Sequence, residues 1–229
     1  MEAQETTATD YLFKLWPWFE ANAKRIAFGA ALALIAIFIW SFYSYRQSQR
    51  ETAAGEALTQ ATMSAGGSAE VCLKIAADYP GTAAGQRALL QGATGLFTDG
   101  KYADAQAQFQ KFLDAYPDNF FSPQAALGVA ASLDAQGKTD QAIGAYQKAA
   151  GLTANGTVAA DAKFALARID ETQGKAADAM KLYAEVARGY PNTSISSEAA
   201  RRAMELKVKS PAAAVAPVPA PSVPFNLSH

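Results

Sequence analysis

The chain holds a single cysteine, Cys72, and a single histidine, His229, among 229 residues. One cysteine excludes an intramolecular disulfide, and one Cys with one His cannot assemble a zinc site within the chain. With its only imidazole at position 229, the chain has no histidine among its periodic segments to serve as a general base. Neither sign of charge is in excess, with 20 Lys and Arg against 21 Asp and Glu, and no basic stripe for nucleic acid forms. No glycine-rich phosphate loop occurs. Val and Ile are sparse outside one segment while Ala is abundant. Alanine is the best helix former and β-branched residues are poor ones, so the expected fold class is all-α.

The only adjacent acidic pair is Asp170 and Glu171. Neighbours on a helix diverge by about 100°, so the pair reads as a solvated helix end. No catalytic, cofactor-binding or metal-ligating residue, no cofactor and no small-molecule substrate are expected. Cys72 reads as a small core residue.

One segment departs from the rest. Ile26 to Tyr45, IAFGAALALIAIFIWSFYSY, carries no charged residue. As a helix it reaches roughly 30 Å, the thickness of a bilayer's hydrocarbon core. Each of its Ile, Leu and Phe residues favours insertion by about 0.3–0.6 kcal/mol, and no central charge opposes them. Lys24 and Arg25 precede the run, and Arg46 and Arg50 follow it. Upstream, Tyr11, Phe13, Trp16, Trp18 and Phe19 are types that favour a membrane–water interface, with Pro17 expected to start or bend that stretch rather than lie inside a helix.

The apolar run is too long for a cleaved signal, so it reads as an uncleaved single-pass anchor. Lys14, Lys24 and Arg25 outnumber Arg46 and Arg50, which favours a cytoplasmic N-terminus and an exported repeat domain. Gly29, Ala33 and Ala36 are small enough to let another membrane helix approach.

Beyond the anchor the sequence repeats. Gly100, Gly137 and Gly174 are 37 residues apart, each followed by Lys. In the same register stand Ala105, Ala142 and Ala179, then Phe109, Tyr146 and Tyr183. Tyr116-Pro117 and Tyr190-Pro191 close two repeats, and Tyr79-Pro80 lies one period earlier. A physical reading follows from the residue types. Glycine ends the first helix of a pair in a left-handed conformation, and alanine marks a close crossing. The aromatic fills the space between pairs, and Tyr-Pro ends the second helix. Such units bury their apolar faces only by stacking.

The expected helix pairs are 48–64 with 68–78, 82–98 with 101–115, 122–136 with 138–151, and 158–173 with 175–188. A capping helix over 194–207 should turn Glu198, Arg201, Arg202 and Glu205 to solvent. The organisation is then an interfacial segment at 1–24, a transmembrane anchor at 25–46, a repeat domain at 47–209 and a Pro/Ala-rich tail at 210–229, expected to lack a core.

The Gly, Ala, aromatic and Pro columns resemble the tetratricopeptide (TPR) pattern, whose usual unit is about 34 residues. The departures are Leu89, Ala126 and Lys163 at the tryptophan-type position, Ala154 where Pro is usual, and Cys72 at the aromatic column of the earliest unit. The resemblance implies a partner-binding groove built from the first helix of each pair. Carried onto this sequence, its inward positions are Arg87, Leu90, Thr94 and Phe97, then Gln124, Leu127 and Asp134, then Phe164, Arg168 and Glu171. The Lys and Asn set with which some TPR co-chaperones clamp a carboxylate is absent.

The stretch WFEANAKRIAFGAALALIAIFIWSFYSYRQSQRETAAGEAL, with F-x-x-N-x-K before the span and aromatics at its end, resembles the bacterial YfgM-like family of ancillary SecYEG translocon subunits. The resemblance is looser through the repeats and fails at the tail. It implies an inner-membrane protein with a periplasmic TPR domain that binds translocon subunits or periplasmic chaperones. The alternatives are a structural accessory subunit of another membrane complex and an envelope or cell-division assembly factor, which the Tyr-Pro endings also resemble.

Overall fold

The computed structural model describes residues 8–64, 67–152, 156–191 and 193–209. Residues 1–7, Ala154 and the tail at 210–229 lie outside the described residues, as do the side chains of Tyr11, Phe13, Trp16 and Phe19. The elements are α1 (Ala8–Ser64), α2 (Ala69–Asp78), α3 (Ala83–Thr98), α4 (Tyr102–Ala115), α5 (Ser122–Ala135), α6 (Thr139–Gly151), α7 (Gly156–Thr172), α8 (Ala176–Gly189) and α9 (Ser194–Lys209). No strand occurs among the described residues. The chain divides into two compact units, Met1–Ala53 and Ala54–His229, with the division falling inside α1.

In the first unit the apolar run is wholly uncovered by protein. Phe28, Leu34, Phe38 and Trp40 are all exposed. Within Glu20–Met63 one 18-residue stretch has a mean hydropathy of 2.2, and none of that stretch is buried. A helix apolar all round suits a lipid solvent, and this one has the length and composition to cross a bilayer. Pro17 corrects an expectation, since it lies inside α1 rather than at its start. Proline's fixed φ is itself helical, so the residue removes one intrahelical hydrogen bond without excluding the helix.

The second unit is an α-solenoid of four helix pairs and a cap. From α2 to α9 each helix packs mainly on its neighbours in the chain, and α3 also touches α5, α5 touches α7, and α7 touches α9. The core is correspondingly divided along the stack. Ala61, Ile75 and Ala88 form one cluster, Leu89, Phe109 and Phe112 anchor the next, Leu133, Tyr146 and Ile169 a third, and Tyr183, Val186 and Leu206 the last.

The repeat columns have one geometry throughout. Gly100, Gly137 and Gly174 have φ of 76°, 72° and 75°, the left-handed region in which a side chain is strained. At each, the amide of the following Lys bonds five residues back, as Lys101 to Leu96 O at 2.9 Å, Lys138 to Leu133 O at 3.0 Å and Lys175 to Asp170 O at 2.8 Å. The glycine amide bonds three residues back, to Phe97, Asp134 and Glu171. This is the Schellman closure of a helix end. Ala105, Ala142 and Ala179 are completely buried, and so is Cys72, whose thiol is pushed up by burial. At Gly128 an added Cβ would come within 2.7 Å of the Phe109 ring, so this glycine is required for the close approach of α4 to α5.

The Tyr-Pro turns carry a device the columns did not reveal. Thr82 and Thr193 occupy equivalent positions, and each donates its hydroxyl proton to the carbonyl of the preceding Tyr at 2.8 Å, Thr82 to Tyr79 and Thr193 to Tyr190. Each hydroxyl oxygen also accepts from an amide of the next helix, Gly85 at 2.9 Å and Ser196 at 3.2 Å. One side chain thus ends a helix and caps the next.

Candidate protein-binding groove

The first helices of the pairs, α3, α5 and α7, carry the residues expected to face a partner. Arg87, Leu90, Thr94 and Gln124 line one hollow of about 570 Å³, together with Gln91, Phe121, Thr62 and Gly67. Leu90 forms its apolar floor, being buried, while Arg87 and Gln124 stand exposed at its rim. Phe97, Asp134 and Arg168 line a second hollow of about 320 Å³ with Ala131, Ala135 and Tyr146. The remaining three positions are engaged within the stack. Leu127 packs against the third core cluster. The Phe164 ring lies 5.2 Å from that of Tyr183. The Glu171 carboxylate accepts from the Tyr183 hydroxyl at 2.9 Å and lies 3.7 Å from Arg202.

Asp170 and Glu171 therefore correct the expectation of a merely solvated helix end. Asp170 lies 3.9 Å from Lys175, and Glu171 is held by α8 and α9. The Glu171 contacts were not readable locally, because Tyr183 and Arg202 come from other helices. Of the cap residues expected at solvent, Arg201 is exposed and Glu198, Arg202 and Glu205 are part-exposed, with Glu198 bonded to both Arg201 and Arg202.

Electrostatics divide the groove. Arg168 bridges two repeats by bonding Asp134 at 2.6 Å. Burial, together with the neighbouring Asp134 carboxylate, pushes the Tyr146 phenol up to about 12. Burial and the Glu171 carboxylate push Tyr183 above the usual tyrosine range. Lys163, at the tryptophan-type position, pairs with Glu185 of α8. Arg87, by contrast, has no hydrogen-bond or ion-pair partner among the described residues, and neither does Asp161, a half-buried carboxylate that the inward positions of the family did not include. Burial raises the Asp161 carboxyl above its ordinary value.

The stacked first helices thus carry two hollows, one on α3 and α5 with Leu90 as its floor and one on α3, α5 and α7 lined by Phe97, Asp134 and Arg168. Two family models match the sequence: a tetratricopeptide repeat-like domain over residues 17–143, and a tetratricopeptide repeat over residues 161–193. The chain belongs to the tetratricopeptide repeat-like family. The first match takes in the apolar span as well as the earlier repeats, and the second covers the last helix pair up to its Tyr-Pro turn.

No curated protein matches the sequence. Among solved structures, the crystal structure of MamA protein is similar at 19% identity and a TM-score of 0.48, over 75% of this chain and 100% of that one. The tetratricopeptide fold is a protein-interaction scaffold and not a catalytic one. Among the described residues no group of three or more His, Cys, Asp or Glu could hold a metal ion.

Proposed function

We propose that this protein is a membrane-anchored adaptor that binds other proteins through its first-helix face, in the neighbourhood of the Sec translocon or of periplasmic chaperones. The observation that carries the reading is the pairing, in one chain, of an uncovered apolar helix with a tetratricopeptide stack. The helix restricts the stack to a membrane surface, and the stack offers hollows with apolar floors and polar rims. The translocon assignment is supported by the resemblance around the anchor, and the charge bias of its flanks supports a cytoplasmic N-terminus and a periplasmic stack. In that arrangement the groove receives polypeptide segments on the exported side and keeps them close to the channel from which they emerge.

A second reading is favoured by one observation. Gly29, Ala33 and Ala36 are exposed, with nothing within 4 Å of a Cβ built on Gly29, which suits close packing of another membrane helix. On that reading the chain is an accessory subunit held mainly by its span.

A mild-detergent pull-down of the full-length protein from native membranes, with partners identified by mass spectrometry, separates the two. Sec channel subunits and a periplasmic chaperone are the expected recovery. Stoichiometric recovery of a different membrane complex without Sec components would overturn the adaptor assignment. Recovery lost on replacing Gly29 and Ala33 by Leu, but unaffected by groove substitutions, would favour the second reading.

A further inference from the structure

Arg87, Gln124 and Asp161 occupy one register position on α3, α5 and α7, one repeat apart. Arg87 and Gln124 line the same hollow. Every other ionisable side chain on these three helices is compensated within the stack: Asp134 by Arg168, Lys163 by Glu185, Asp170 by Lys175 and Glu171 by Arg202. The register position thus runs from a free guanidinium through an amide to a free, half-buried carboxylate.

We propose, resting on the adaptor reading, that this face binds an extended protein segment of defined charge order, a carboxylate against Arg87 and an ammonium or guanidinium against Asp161. Small apolar side chains lie between them. Three considerations support this occupant. An unpaired carboxylate held partly out of water is destabilised until a cation joins it. Guanidinium takes carboxylate in a bidentate pair. The hollow beside Arg87 and Gln124 has the buried Leu90 as its floor, which disfavours a further charge there. Neighbouring packed helices lie about 8–10 Å apart, so two repeats separate the charges by roughly 20 Å. An extended chain covers that distance in about six residues. The groove therefore measures spacing as well as sign.

The test uses the full-length protein in detergent micelles and a library of nine-residue peptides, acetylated and amidated. The peptides are built of Ala, Leu and Gln with one Glu and one Lys at every separation and in both orders. Retained peptides should carry the two charges about six residues apart in one preferred order. Arg87→Gln and Asp161→Asn should each weaken the best peptide about fivefold. The double reversal Arg87→Glu with Asp161→Lys should invert the preferred order. Asp161→Asn should leave the melting temperature unchanged or higher, since it removes an unpaired carboxylate, whereas a purely structural role would lower it.

Retention without regard to charge order, retention of no peptide, or binding only of a second copy of this chain overturns the proposal. The outcome is distinguishable from failure of the adaptor reading. If the double reversal recovers the same partners from membranes as the natural sequence, the groove's charge order falls and the adaptor stands. If the natural sequence recovers none, the adaptor falls.

Discussion

The span and the stack are both rich in apolar residues, yet they dispose of them in opposite ways. Phe38 in the span is 73% exposed, whereas Phe112 in the stack is fully buried. The stack hides its apolar surface against its own next helix, and small residues such as Ala105 and Ala142 set how closely those helices approach. The span has large side chains on every side and no protein against them. Amount of apolar surface therefore does not distinguish a core from an anchor. Periodicity does, because the stack interrupts its apolar residues with polar ones at helical spacing and the span does not.

The largest effect that would sharpen this contrast is expected in the span. Arginine in place of both Leu34 and Phe38 should cost about 3 kcal/mol per site for insertion. The protein should then leave the membrane fraction on carbonate washing while the helical melt of the stack is unchanged. Retention in the membrane would break the contrast. Next, Phe112→Ala should destabilise the stack by about 3–5 kcal/mol, whereas Phe38→Ala should leave it untouched, both read by denaturant titration in micelles. Overpacking is smaller: Ala142→Phe should cost about 1–3 kcal/mol, and an unshifted melting temperature would contradict a close crossing at that column. Gly137→Ala meets no neighbouring atom, so its cost is the left-handed backbone alone, about 1–2 kcal/mol.

The last expectation concerns alkaline pH. The Tyr146 phenol is held up at about 12 when folded, against about 10 in an unfolded chain. Its contribution is fully present below pH 10 and lost as pH rises toward 12, because the unfolded chain ionises first. Tyr146→Phe should flatten the stability profile across that window. An unchanged profile would count against the burial of this phenol.

The helix pairs were readable from the sequence because Gly, Ala and the aromatic recur at a fixed interval, and each residue type has a local reason for its place. The ends expected from the glycines at 98, 136 and 173 fall within one residue of the observed Thr98, Ala135 and Thr172. What was not readable depends on which side chains meet across repeats. Glu171 looks solvated until α8 supplies Tyr183 and α9 supplies Arg202. Leu127 and Phe164 sit at inward-facing register positions but are held by neighbouring helices. Asp161 stands in register with Arg87, but its lack of a partner is visible only once every neighbouring charge has been placed. The Thr82 and Thr193 caps could have been found by extending the Tyr-Pro column by two residues.

The identical helix closures have a consequence for how such a chain can change length. Lys101, Lys138 and Lys175, which follow the three glycines, share φ near −83° and ψ near 60°. Excising or duplicating the segment from one Gly-Lys junction to the next would rejoin backbone of the same direction and handedness, leaving no seam. Removing the unit between Gly100 and Gly137 would also draw Arg87 and Asp161 one layer closer together. In this architecture repeat number would work as a ruler, and gene-level gain or loss of a repeat would reset the length it measures while keeping the shared helix closures.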